Sequence, residues 1–184
     1  FDRRRSGDLI NGTVTLGGAR LNLSPSGTGQ EVIGIAGSAG SKLLVNGASS
    51  IALDKGPAED LEVWIGSQSN PQALVQGDSS TLLVTLGAGT KLLSHGQAAT
   101  PSGGMHAPSL ILTGANLAGK FGVYSASDGF ITFGGYTSRS GNFVPSANGA
   151  EVSEITANAT LTASSSVKAL RIADSQSLAV TSRT

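Results

Sequence analysis

Apolar residues in this chain recur at alternate positions in short bursts, and nearly every burst is closed by a turn-forming residue. Thr13-Val14-Thr15-Leu16, Arg20-Leu21-Asn22-Leu23, Leu61-Glu62-Val63-Trp64-Ile65 and Ser177-Leu178-Ala179-Val180 all alternate. Successive side chains of a strand point to opposite faces, so this period of two predicts strands with one buried face; a helix would need a period of about 3.6. Lys42-Leu43-Leu44-Val45, Thr81-Leu82-Leu83-Val84-Thr85-Leu86 and Ser109-Leu110-Ile111-Leu112 are short continuous runs of strand length. Further strands are expected near residues 31–36, 121–124, 130–133, 151–157 and 167–172. Asn11-Gly12, Asn46-Gly47, Gly77-Asp78, Asp128-Gly129 and Asn148-Gly149 separate them, as suits residues that tolerate positive φ. Only residues 57–61 have helical chemistry, and they make one turn at most. The pattern predicts an all-β chain.

Composition decides between all-β architectures. The chain has 184 residues, about one domain, with 26 glycines but only eight aromatics (Phe 5, Tyr 2, Trp 1). A β-sandwich or jelly roll buries large aromatics where its sheets meet, whereas a narrow solenoid fills its interior with stacked Leu, Val, Ile and Ala. The expected fold is therefore a parallel β-solenoid (β-helix), with a β-sandwich or jelly roll as the alternative. Three segments read as variants of one phrase, at residues 41–47, 80–87 and 109–114, with irregular spacing. Residues 1–184 are expected to form a single solenoid segment with a long loop near 94–108, where His95, Met105 and His106 collect among Gly and Pro. The glycines follow no three-residue period, which excludes collagen, and 39% hydrophobic residues are too many for a disordered chain.

Charge and cysteine exclude several partners and chemistries. Twelve Lys and Arg balance twelve Asp and Glu, leaving no field to hold a polyanion, so no nucleic-acid partner is expected. Arg3-Arg4-Arg5 lies beside Asp2 and Asp8 and reads as a solvated end. With no cysteine there is no disulfide scaffold, thiolate metal site or Cys nucleophile. No stretch approaches the ~18 apolar residues of a membrane span, so no direct membrane insertion is expected of this segment. The chain starts at Phe1 and stops inside an alternating segment, which suggests a piece of something longer.

The chemical motifs fail on order or spacing. Gly34-Ile35-Ala36-Gly37-Ser38-Ala39-Gly40-Ser41-Lys42 resembles a phosphate loop, but its Lys follows the Ser and runs into a strand instead of opening a helix. Gly77-Asp78-Ser79-Ser80 has no general base near it in sequence, and there is no G-x-S-x-G elbow. His95 and His106 are 11 residues apart with no acidic residue between them, so they do not match a zinc helix. Asp54, Glu59, Asp60 and Glu62 lack the alternating ligands of a calcium loop. No catalytic residue, metal ligand or cofactor is assigned. Trp64 and Glu62 share one strand face, which makes them the candidate glycan contact; a neighbouring loop covering Trp64 is the plainer reading. His95, Met105 and His106 are the candidate loop site.

Two blocks carry a family resemblance. Gly104-Met105-His106-Ala107-Pro108, Lys120-Phe121-Gly122-Val123-Tyr124, Asp128-Gly129-Phe130 and Tyr136 resemble a recurrent stretch of large bacterial autotransporter-associated β-strand repeat proteins. Residues 155–180 are similar to the coil that follows it there, and residues 12–19 and 58–63 to the segment that precedes it. Ser109 departs from the pattern, which has an aromatic after the Pro. The resemblance implies a right-handed parallel β-helix, export to the outer cell surface or beyond, and a long parent protein; it carries no catalytic role. With the strand pattern it points to a non-catalytic structural or adhesive element of a bacterial cell-surface or extracellular fibre. Such an element would self-associate end to end or pack on the rest of a longer chain, and would contact surface glycans. A β-helical carbohydrate-active enzyme or glycan-binding module is the alternative, and a phage tail-spike segment the third.

Overall fold

A computed structural model describes residues 5–101, 105–107, 109–114, 117–145, 149–163 and 166–181, with backbone alone for 5–9 and 117–118. Phe1, Asp2, Arg3, Arg4, Gly104, Pro108 and Asn148, named above, lie outside the described residues. Strands and turns account for the described chain, with no helix. It divides into two compact units, Phe1–Thr132 and Phe133–Thr184.

The first unit winds through β1 (Arg5–Ile10), β2 (Val14–Gly17) and β3 (Arg20–Leu23), then β4 (Gln30–Ile35), β5 (Leu43–Asn46) and β6 (Ala48–Leu53). The third turn is β7 (Asp60–Ile65), β8 (Leu74–Gln76) and β9 (Thr81–Leu86), and β10 (Thr90–Ser94) and β11 (Leu110–Gly114) follow. Each strand pairs in parallel with its counterpart one turn away, building walls β1-β4-β7-β10, β2-β5-β8 and β3-β6-β9-β11. This is a parallel β-solenoid of about three turns. The antiparallel pairing that a jelly roll or sandwich requires is absent from these walls. Partner residues stand 25 apart where Leu9 meets Gly34 and 33 apart where Ile51 meets Val84. Turns of unequal length explain why the sequence has no strict repeat.

Alternation sets the interior. Along β7, Leu61, Val63 and Ile65 are fully buried while Asp60, Glu62 and Trp64 face outward. Register stacks Ile33, Val63 and Leu92 in one ladder, and Ile51, Val84 and Leu112 in another. Each rung removes apolar area from water at about 25 cal/mol per Å². Small polar residues close the corners. The Asn70 amide donates 2.8 Å bonds to the carbonyls of Ala36 and Ser41, and its oxygen accepts from the Gly40 N–H at 3.3 Å. The Ser49 hydroxyl bonds the Leu16 and Asn46 carbonyls at 3.0 Å and accepts from the Gly18 N–H.

The parallel stack of this unit ends in a hairpin. β12 (Leu117–Ser125) runs antiparallel to β11, and β13 (Gly129–Thr132) runs antiparallel to β12. Phe130, 1% exposed, lies at this end with Tyr124 edge-on at 4.9 Å. Aromatics are scarce in the ladder and gather where the apolar interior must be closed.

In the second unit, β14 (Thr137–Phe143) and β15 (Val152–Leu161) pair in parallel, and β15 pairs in parallel with β16 (Ala169–Ile172) and β17 (Leu178–Val180). Its partners are closer in sequence, Val152 with Ala169 and Ala159 with Leu178. Phe143, Ile155 and Ala159 form its core. Arg139 grips Glu151 with two nitrogens, at 2.9 and 2.5 Å, and Arg171 pairs with Glu154 on the neighbouring strand.

Candidate functional site

The outward face of β7 carries the chemistry that its inward face lacks. Residues two apart on a strand share a face, roughly 6.6 Å apart along the chain, so Asp60, Glu62 and Trp64 form one row. The Trp64 indole N–H donates to a Glu62 carboxylate oxygen at 3.3 Å, which fixes the ring along the strand. Gly34 is its register neighbour on β4 and is buried, so β4 presents backbone and no side chain directly opposite the indole.

Parallel stacking brings the next turn into this row. Lys91 is the register partner of Glu62, and Leu93 that of Trp64. The His95 N–H continues the ladder by donating to the Ile65 carbonyl at 3.0 Å. That bond sets the imidazole against the indole, with ring centroids 4.5 Å apart and planes tilted by 31°. Loss of water on packing holds the His95 pKa below its usual 6.5.

A turn organised by Asp128 restrains Lys91. The Lys91 ammonium donates to the Ser127 carbonyl at 3.3 Å and lies 3.9 Å from the Asp128 carboxylate. That carboxylate also accepts from the Ser127 and Ser125 hydroxyls at 2.8 and 3.0 Å, and these bonds, Ser127 first, hold its pKa below the usual carboxylate range. Between the β7 and β10 rows lies an open depression of about 290 Å³, lined by Asp60, Glu62, Thr90 and Lys91.

The candidate residues thus separate into two places. Trp64 and Glu62 are joined by His95. Met105 is buried at 6% exposure, and His106 packs edge-on against Phe130 at 5.2 Å, with its pKa lowered by desolvation. His106 also donates its N–H to the Gly122 carbonyl at 2.8 Å, so this part of the loop lies on the closing hairpin. Lys91 and Asp128 went unrecognised in the sequence; the signal for Lys91 was its spacing of one turn from Glu62. Among the described residues, no three His, Asp or Glu side chains gather as a metal site.

Comparison with known proteins finds no matching family model, no curated relative and no solved structure of significant similarity.

Proposed function

We propose that the chain is a non-catalytic structural or adhesive element of a bacterial cell-surface or extracellular fibre. The observation that carries this reading is the continuous inward ladder of Leu, Ile and Val in the first unit, hydrogen-bonded strand to strand through successive turns. A stack of this kind needs neither ligand nor partner to hold its length, the property required of a spacer or shaft. The resemblance to autotransporter-associated repeat proteins supports the same placement.

Self-association has a polarity in this reading. A strand edge left unpaired is a template for another strand, and β12 already occupies the free edge of β11. The β3-β6-β9-β11 wall of the first unit therefore offers a partner strand no free edge beyond β11. Negative-stain electron microscopy of native material, with antibody labelling of intact cells, tests the proposal. Surface-labelled filaments are expected; discrete intracellular particles would overturn it.

A further inference from the structure

We infer that the outward row of β7 and β10 is a saccharide-binding site, with Trp64 as its platform and Glu62, Asp60 and Lys91 as its hydroxyl-binding groups. The inference is independent of whether the chain belongs to a fibre.

The geometry selects the ligand class. A pyranose ring has a C–H face and a rim of hydroxyls, each both donor and acceptor. The face of an aromatic ring is the negative side of its quadrupole and suits C–H groups. Trp64 is half-buried, so part of its side chain stays in contact with water opposite the side-chain-free Gly34. Its ring is held on one side by His95 at 4.5 Å and at its N–H by Glu62. A ring fixed before binding loses little freedom when a ligand stacks on it.

Next to this platform, the depression mixes group types. Asp60 and Glu62 accept, Lys91 donates and Thr90 does both, an inventory that matches sugar hydroxyls. Among its described lining residues, two carboxylates stand beside one ammonium, a balance that does not favour a phosphate or another small anion. The absence of a third nearby metal-binding side chain among the described residues gives a divalent cation no cage. At about 290 Å³ the space is at the small end of ligand pockets, which fits one or two sugar rings better than a nucleotide. Glu62 links the two halves, since it lines the depression and holds the indole.

Trp64 is the sole tryptophan, so its emission reports on this site alone. The experiment titrates the protein with cellotetraose, maltotetraose and chitotetraose to about 20 mM, with isothermal calorimetry alongside, a range that covers Kd values up to and above about 1 mM. A saturable change in Trp64 emission with at least one of the three is expected. Calorimetry on Trp64→Ala should show affinity reduced at least tenfold, while Trp64→Phe, which keeps a ring, retains part of it. Glu62→Gln should weaken binding less than Trp64→Ala. Circular dichroism melts confirm that each variant is folded. No response to any of the three sugars from the folded protein would overturn the inference, as would undiminished binding by folded Trp64→Ala.

Discussion

The Tyr124 hydroxyl closes the exposed edge of β10 by pairing with both backbone groups of Ser94. It donates to the Ser94 carbonyl at 2.8 Å and accepts from the Ser94 N–H at 3.1 Å. One side-chain oxygen thus replaces the ladder partner that a further parallel strand would have supplied. The Ser94 side chain takes no part, since its own buried hydroxyl has no hydrogen-bond partner among the described residues. Tyr124→Phe should strand two buried backbone groups and lower stability by about 2 kcal/mol or more, read from urea denaturation. Ser94→Ala in the same assay should be neutral or stabilising, because no bond is lost and an unpaired buried hydroxyl is removed. Equal losses in the two variants would show that the Tyr124 oxygen does not close the edge.

The hairpin that carries Tyr124 depends on Gly129. Its φ is +72°, and a Cβ there would overlap the Leu92 carbonyl oxygen and stand 2.9 Å from the carbonyl carbon. Both obstacles are backbone, so no rotamer relieves them. Gly129→Ala should cost roughly 3 kcal/mol or more. Gly12→Ala, where nothing lies within 4 Å, should change the urea midpoint little. If the midpoints of both variants match the parent, the close approach of β13 to β10 is wrong.

Strands were legible in the sequence where aliphatic residues alternate, as in Val14–Gly17 and Asp60–Ile65, or form a short continuous run, as in Thr81–Leu86. Ala48–Leu53 and Thr137–Phe143 were not, because Ala-Ser-Ser and Thr-Ser-Arg-Ser have weak strand preference and are held by their ladder neighbours. The repeated phrases misled in one respect. Leu82 and Leu110 are successive rungs of one wall, whereas residues 43–46 belong to a different wall. The candidate site was half legible. Trp64 and Glu62 share a face by simple alternation, but His95 and Lys91 join them only through register one turn away, and unequal turn lengths conceal that register.

Asn70 shows the same dependence on register at a corner. Its amide nitrogen donates to the carbonyls of Ala36 and Ser41 in the preceding turn, and the residue is 5% exposed. A carboxylate accepts but does not donate, so Asn70→Asp should oppose a buried negative charge to two carbonyl oxygens. It should destabilise more than Asn70→Ala, which itself leaves both carbonyls unpaired at about 1–3 kcal/mol. Chemical denaturation at neutral pH orders the two variants. The reverse order would mean that the amide oxygen, which accepts from Gly40, is the part that matters.

Acid should act on Trp64 and on stability through the histidines. His95 stacks on Trp64, with Glu62 bonded to the indole and Lys91 on the adjacent strand, and desolvation holds its pKa below 6.5. An imidazolium quenches indole emission more than neutral imidazole does, so Trp64 fluorescence should fall with acid around a midpoint below 6.5. His95→Ala should remove that step. The His106 pKa is lowered by the same cause. In the unfolded chain both histidines take up protons near the ordinary value of about 6.5, while in the folded chain they resist until lower pH. The unfolded state then binds more protons as the pH drops, so their stability contribution is complete above about 6.5 and is lost through the folded pKa values. Urea midpoints measured from pH 7.5 down to 5 (about one to two units either side of the ordinary value) should decline, and the double variant His95→Ala, His106→Ala should flatten that decline. A parent midpoint that rises on acidification would place a stabilising negative partner beside one of these rings, against the packing described for both.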